Sequence, residues 1–191
     1  MINSILLVGV GGQGILLASE ILSDVLLKQG FDVKKNEIHG MAQRGGTVTS
    51  QIKYGDVVFS PKIAEAEADF IVSFEYMESV RFLNLLKKDG MLISSDQKII
   101  PTTVSSGLGT YPDNIEEYLE KQNIKYSFVN VVDIATKLGN IKTVNTIMMG
   151  LLNQYLKFKE EIWIETIKER VKPKFVDLNI KAFQEGMNYR R

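Results

Sequence analysis

The chain has 191 residues, 45% of them hydrophobic and 24% charged, with 23 Lys plus Arg against 23 Asp plus Glu. That is enough for one globular domain with a sizeable core, and the balanced charge supplies neither the basic field that attracts nucleic acid nor an acidic tail. No cysteine is present, which excludes disulfides, Cys-ligated zinc, iron–sulfur ligation and thiolate catalysis on this chain, and a single histidine argues against a His-rich metal site.

Ser4 to Val8 is a short, continuous apolar run bounded by glycine, the pattern of a buried parallel strand. It begins too early to leave room for a signal peptide, and no apolar window is long enough for a membrane span, so the expectation is a cytoplasmic protein with no membrane partner. Gly9-Val10-Gly11-Gly12-Gln13-Gly14 follows, in which Gly9, Gly11 and Gly14 fit G-x-G-x-x-G. With a strand before it and a helix after it, this is the context of a dinucleotide-type βα turn, whose backbone N–H groups approach an anion at a helix N-terminus. A second reading is that the glycines only let helix and strand pack closely.

From Ile15 the apolar residues Ala18, Ile21, Leu22, Val25 and Leu26 recur at helical spacing, and Gly30 is placed to end that helix. Phe31 to Ile38 reads as a second strand, completing a strand–helix–strand unit. A dinucleotide site wants an acidic residue at the end of that strand for the ribose hydroxyls, and Glu37 is the candidate. His39 to Gly46 (His-Gly-Met-Ala-Gln-Arg-Gly-Gly) is a loop at the C-terminal end of the second strand, the edge where open α/β sheets bind ligands. Arg44 could grip a carboxylate or phosphate with both arms of its guanidinium, and Gly45 and Gly46 let the backbone approach. A lone loop histidine is more often a structural hydrogen-bonder than a base, so His39 and Gln43 stand as substrate or interface candidates.

Thr47 to Tyr54 alternates, with Val48 and Ile52 on one face and Thr47, Thr49, Gln51 and Lys53 on the other, the mark of a half-exposed, antiparallel strand. Asp69 to Ser73 is a buried strand, Met77 to Leu86 a predicted helix, and Gly90 opens the strand Met91 to Ser94. Ile99 to Pro112 is a long loop-rich excursion with Pro101, Gly107, Gly109 and Pro112, either a lid or an ordinary connection. Ile115 to Gln122 reads as a helix, Tyr126 to Val132 as a strand, and Asp133 to Leu138 as a short helix. After Gly139-Asn140, the residues Val144, Ile147, Met148, Leu151, Leu152 and Tyr155 mark the cleanest amphipathic helix in the chain. Asn140 suits its N-cap, and Lys142 and Asn145 fall in its first turn. Two more helices, near Glu161 to Val171 and Val176 to Met187, are split by Pro173. The predicted class is α/β: a Rossmann-like, mostly parallel sheet flanked by helices, with an antiparallel excursion and a helical C-terminal end from about residue 142, as a single domain over residues 1–191.

The pairing of Gly9 to Gly14 with His39 to Gly46 resembles the gamma-type subunit or domain of 2-oxoacid:ferredoxin oxidoreductases. The His-Gly-Met-Ala-Gln-Arg-Gly-Gly form looks most like the beta subunit of the indolepyruvate branch of that family. Tyr111-Pro112, Gly139-Asn140 ahead of Lys142 and Asn145, and Asn179 to Gly186 agree, so the resemblance spans essentially the whole chain. Subunits acting on pyruvate, 2-oxoglutarate or branched-chain oxoacids share the Gly-Gly-Gln-Gly and Arg-Gly-Gly elements.

The resemblance implies an accessory subunit, inactive alone, of a complex that oxidatively decarboxylates 2-oxoacids with thiamine diphosphate, Mg2+, iron–sulfur clusters and coenzyme A. Electrons pass to ferredoxin, and in the indolepyruvate branch arylpyruvates give aryl-acetyl-CoA and CO2. This chain has no cysteine and no Gly-Asp-Gly run followed by Asn, so the resemblance places the thiamine diphosphate, Mg2+ and clusters on a larger alpha subunit. Gly11, Gly12, Gln13, Gly14, Arg44 and Gly45 are then candidates for contact with coenzyme A, with no catalytic residue and no metal ligand assigned here. Two other readings stay open. One is a free-standing NAD-dependent oxidoreductase using Gly9, Gly11, Gly14 and Glu37, with His39 its only histidine; the other is a structural interaction domain whose glycine turn is empty.

Overall fold

The computed structural model describes residues 2–39 and 46–190. Its strands are β1 (Ile2–Val10), β2 (Asp32–His39), β3 (Thr47–Gly55), β4 (Ala68–Ser73), β5 (Leu86–Ser95) and β6 (Lys125–Val129). Its helices are α1 (Ile15–Lys28), α2 (Glu78–Arg81), α3 (Thr102–Ser105), α4 (Ile115–Lys121), α5 (Val131–Lys137), α6 (Val144–Leu156), α7 (Glu160–Arg170) and α8 (Val176–Asn188). The strands form one sheet in the order β2-β3-β1-β4-β5-β6. β1, β4, β5 and β6 are parallel neighbours, and β3 pairs antiparallel with both β1 and β2. β3 is therefore the strand that runs against the others.

Ile5, Leu6, Leu7 and Val8 are all fully buried, because both faces of β1 are covered. Ile5 and Leu7 enter a core shared with α1, α5, α6, α7 and α8; Leu6 and Val8 enter a second core with Ile63, Tyr76, Ile115 and Leu119. A strand buried on both faces has no reason to alternate, hence its unbroken apolar run. β3 alternates only in its second half: Ile52 and Tyr54 are buried in the first core while Gln51 and Lys53 are half-exposed, but Val48, Thr49 and Ser50 are buried in succession, so Thr49 is not on an exposed face as its pattern suggested.

The C-terminal helices cover α1 from outside. Trp163 of α7 stacks on Phe183 of α8 at 5.0 Å between ring centres, both fully buried. Lys28 of α1 pairs with Glu165 (3.1 Å) and Glu169 (2.8 Å) of α7. Among the described residues no helix is long and apolar enough to cross a membrane.

Two stretches differ from their sequence pattern. The helix predicted over Met77 to Leu86 is only α2 followed by a 3-10 turn, Leu83–Leu85, and β5 already begins at Leu86. Gly90 lies inside β5 rather than at its start: a Cβ there would meet Leu86 Cδ1 at 2.7 Å and the Ala68 carbonyl at 3.0 Å. Glycine here marks a close approach beside the register shift between Ala68 and Phe70. Similarly, β6 stops at Val129 because Asn130 caps α5, accepting from the Asp133 N–H at 2.9 Å. Asn130→Ala should cost about 1 kcal/mol, the usual value of such a cap, read as a lower urea midpoint with unchanged slope.

Candidate functional site

β1 delivers the chain to the glycine turn at a topological switch point. The connection after β1 leads to α1 and β2 on one side, and β4, its parallel neighbour on the other side, continues toward β5. Crevices at such points are where open α/β sheets bind ligands. The glycines of the turn do different work. A Cβ at Gly9 would fall 2.7 Å from Gln13 Oε1 and 2.9 Å from Phe74 Cβ, so this residue is small for packing. Gly14 (φ 78°) is left-handed and would place a Cβ 2.8 Å from Asn145 Nδ2. Gly12 (φ 105°) faces open space, so only its backbone conformation requires glycine. The Gly11 N–H donates to the Gly46 carbonyl at 2.9 Å, which ties the turn to the end of the 39–46 segment.

Gln13 braces the turn. Its Oε1 accepts from the Val10 N–H at 2.8 Å, and its Nε2 donates to the Phe74 carbonyl at 2.7 Å and to Gln97 Oε1 at 3.0 Å. The side chain thus bridges the ends of β1, β4 and β5. Gly14 is the N-cap of α1 and offers no side-chain cap. The first N–H groups of an α-helix lack intrahelical partners and carry the positive end of its dipole.

A second helix N-terminus faces the first. Asn140 Oδ1 accepts from the Lys142 N–H at 3.0 Å and starts the 3-10 turn Ile141–Thr143, which runs into α6. Asn145, nearly fully buried, donates to the Gly14 carbonyl at 3.3 Å and accepts from the Thr146 N–H at 2.9 Å. The result is a cleft of about 550 Å³ lined by Gly12, Gln13, Gly14, Leu17, Gln97, Ile141, Lys142, Val144 and Asn145. Among the described residues Lys142 is the only titratable one in the lining, and its side chain is exposed. Two helix N-termini and one ammonium make a site for an anion of the phosphate class. Among the described residues no acid–base pair lines it.

The residues singled out by sequence distribute as follows. Gly12, Gln13 and Gly14 line the cleft, and Gly11 supports it from behind. The backbone of His39 stands in register with Val48, which is in register with Gly9, so β2 ends beside the turn. Gln43, Arg44 and Gly45 lie outside the described residues. Glu37 is not placed for a ribose. Its carboxylate accepts from Ser19 Oγ at 3.0 Å and pairs with Lys35 at 2.8 Å, and β3 occupies the place beside β1 that a dinucleotide fold gives to its second strand. Asn140 caps the 3-10 turn Ile141–Thr143 rather than α6 itself, whose N-cap is Thr143, so Lys142 precedes the α-helix; Lys142 and Asn145 also enter the cleft. The sequence signal for that was Gly139-Asn140 ahead of a strong helix; nothing in the sequence marked Gln97. With no cysteine the chain cannot ligate a cluster, and no group of three or more His, Asp or Glu among the described residues is arranged for a metal ion.

Comparison with known proteins agrees along the length of the chain. It is 40% identical over 189 residues to the indolepyruvate oxidoreductase subunit IorB of Pyrococcus horikoshii, covering 96% of this chain and 94% of that one. It is 26% identical over 190 residues to the 2-oxoglutarate synthase subunit KorC of Methanothermobacter marburgensis, covering 97% and 95%. In structure it is similar to the pyruvate oxidoreductase subunit PORC of Thermotoga maritima (TM-score 0.72, 23% identity, 97% of this chain and 94% of that one). It is also similar to part of a 2-oxoglutarate:ferredoxin oxidoreductase of Magnetococcus marinus whose structure has 2-oxoglutarate, coenzyme A and succinyl-CoA bound (TM-score 0.75, 15% identity, 97% of this chain and 30% of that one). Residues 4–189 match the family described as pyruvate ferredoxin/flavodoxin oxidoreductase, and the chain belongs to that family.

Proposed function

We propose that this chain is the accessory, beta- or gamma-type subunit of an indolepyruvate-type 2-oxoacid:ferredoxin oxidoreductase. It acts in the CoA-dependent oxidative decarboxylation of arylpyruvates to aryl-acetyl-CoA and CO2, with electrons passed to ferredoxin. The observation that carries this reading is the cleft at the glycine turn, whose described lining has groups suited to a phosphate-bearing ligand and no acid–base pair. The identity to IorB supports the arylpyruvate class, and the coenzyme A of the Magnetococcus marinus structure supports the ligand.

Coenzyme A fits the donors present. Its phosphates suit the N–H groups of Gly12, Gly14 and the first turn of α1, together with the Lys142 ammonium. Arg44 and Gly45 remain candidates for that set from the sequence alone. Gln13 contributes by holding the turn open rather than by offering a free amide. Thiamine diphosphate, Mg2+ and the clusters, held on a larger alpha subunit, supply carbanion stabilisation and electron transfer. The role of this chain, a single gamma-type domain in the cytoplasm, is to orient coenzyme A and exclude water beside that centre.

The purified chain is expected to show no turnover with any 2-oxoacid and to regain it on adding the thiamine-containing subunit. Turnover by the chain alone sinks the reading. In the reconstituted complex, Arg44→Ala and Lys142→Ala should each weaken coenzyme A binding by roughly tenfold, the worth of one charge-assisted hydrogen bond. Calorimetric isotherms superimposing on wild type for both variants would remove coenzyme A from this cleft.

A further inference from the structure

Glu75 follows β4 by two residues and is fully buried. Among the described residues no cation pairs with it; it is held by hydrogen-bond donors instead. Its Oε2 accepts from the Glu78 N–H at 2.9 Å, and its Oε1 accepts from the Ile99 N–H at 3.0 Å and from the Tyr111 hydroxyl. Ile99 and Tyr111 are the two ends of the excursion that interrupts the α/β pattern. The Tyr111 oxygen also accepts from the Met77 N–H at 3.2 Å. Burial first, then the bond to Glu75, pushes the Tyr111 phenol far above its ordinary value, so it remains a donor. Lys98 Nζ lies 4.8 Å from the ring centre of Tyr76 and 5.8 Å from that of Tyr111, and these rings stack at 6.4 Å. Both ends of the excursion are thus clamped at one carboxylate, while the stretch between them is mostly exposed, with Leu108 at 83%.

The neighbours of Glu75 carry this clamp to the cleft. The Phe74 carbonyl accepts from Gln13 Nε2, and the Tyr76 N–H donates to the Gln97 carbonyl at 2.9 Å. Gln97 Oε1 accepts from the same Gln13 Nε2. Of three consecutive residues, Phe74 touches Gln13 of the glycine turn, Glu75 clamps the excursion and Tyr76 holds Gln97, which bonds to Gln13. A buried carboxylate without a cation is costly to keep in a fold, and donors converging from separate stretches offset that cost only while all of them stay in place.

We propose that Glu75 is a positioning residue of the glycine-turn cleft: by holding Ile99 and Tyr111 it seats Gln97 against Gln13, and so sets the wall that a phosphate-bearing ligand meets. Glu75 does not itself touch the cleft. The excursion then acts as a strap, fastened at its stem, whose fastening is read out at the turn. The kinetic consequence rests on the reading of the cleft as a coenzyme A site; the mechanical one does not.

The test uses Tyr111→Phe, which removes one hydroxyl and keeps the ring, and Glu75→Gln, whose amide N–H2 would face a donor. In the full chain, NMR hydrogen exchange should accelerate about tenfold or more at the Ile99 N–H and at the Gln13 side-chain amide, with the Ile5 to Val8 amides unchanged. Faster exchange at Ile99 with an unchanged Gln13 amide overturns the proposal. In the reconstituted complex, Tyr111→Phe should raise KM for coenzyme A about tenfold and leave kcat within about twofold. Lys142→Ala is the reference. If it raises KM and Tyr111→Phe does not, the clamp is only structural; if neither does, the coenzyme A reading fails and the Gln13 exchange result decides the clamp. Should Glu75→Gln not fold, Tyr111→Phe carries both arms.

Discussion

Gly150→Ala is expected to destabilise the chain by about 3 kcal/mol or more, above the usual cost of overpacking, because the obstruction is backbone rather than side chain. A Cβ at Gly150 would stand 2.1 Å from the Phe183 carbonyl and 2.7 Å from the Met187 nitrogen. The approach is reciprocal: a Cβ at Gly186 would stand 2.1 Å from the Ile147 carbonyl. Neither helix can yield locally, so α6 and α8 must separate. That disturbs the Thr146 hydroxyl bond to Asn179 (2.6 Å), the Gln154 bond to the Gly186 carbonyl (2.8 Å) and the seat of Phe183 under Trp163. Urea denaturation should show a large fall in midpoint with little change in slope, since the surface exposed on unfolding is nearly the same. Gly139→Ala is the control. Gly139 is also left-handed (φ 88°) but has open space around it, so only strain of about 1–2 kcal/mol is expected there. Equal losses for both variants would contradict the packing account.

The second large effect is expected for Gly14→Ala, on function more than on stability. A left-handed residue with a Cβ costs about 1–2 kcal/mol, and here the added carbon also meets Asn145 Nδ2 at 2.8 Å. Asn145 must move, and its bond to the Gly14 carbonyl is lost with it. Since that bond holds the N-terminus of α6 against the N-terminus of α1, the cleft between them should lose its shape. In the reconstituted complex, KM for coenzyme A should rise by at least about tenfold with a smaller change in kcat, the signature of lost binding rather than lost chemistry. Asn145→Ala removes the latch without straining the turn and should reproduce part of the increase. A Gly14→Ala complex with unchanged KM would show that the cleft does not meet coenzyme A.

What could be read from the sequence alone was whatever depends on near neighbours. The unbroken run at Ile5 to Val8, the glycines after it, and the helical spacing from Ile15 and from Val144 each reflect a local period imposed by burial, and each has its element in the structure. The alternation of Thr47 to Tyr54 likewise carried the half-exposed, antiparallel character of β3. Where a local period was ambiguous, as between Met77 and Gly90, the element type and its boundary went astray, because a close approach by Leu86 and Ala68 accounts for Gly90.

The tertiary structure decided which distant residues meet, and that depends on strand order and helix packing rather than on any local pattern. The insertion of β3 between β1 and β2 takes Glu37 out of a ribose-binding role, although its spacing from the turn suits one. Gln97 and Asn145 reach the glycine turn only because β5 ends and α6 begins at the same edge of the sheet as the end of β1, with Asn145 bonding to Gly14 across 131 residues of sequence. A glycine-rich turn by itself determines that an anion can approach a backbone. Which side chains surround that backbone follows from packing that brings Lys142 and the start of α6 to face it.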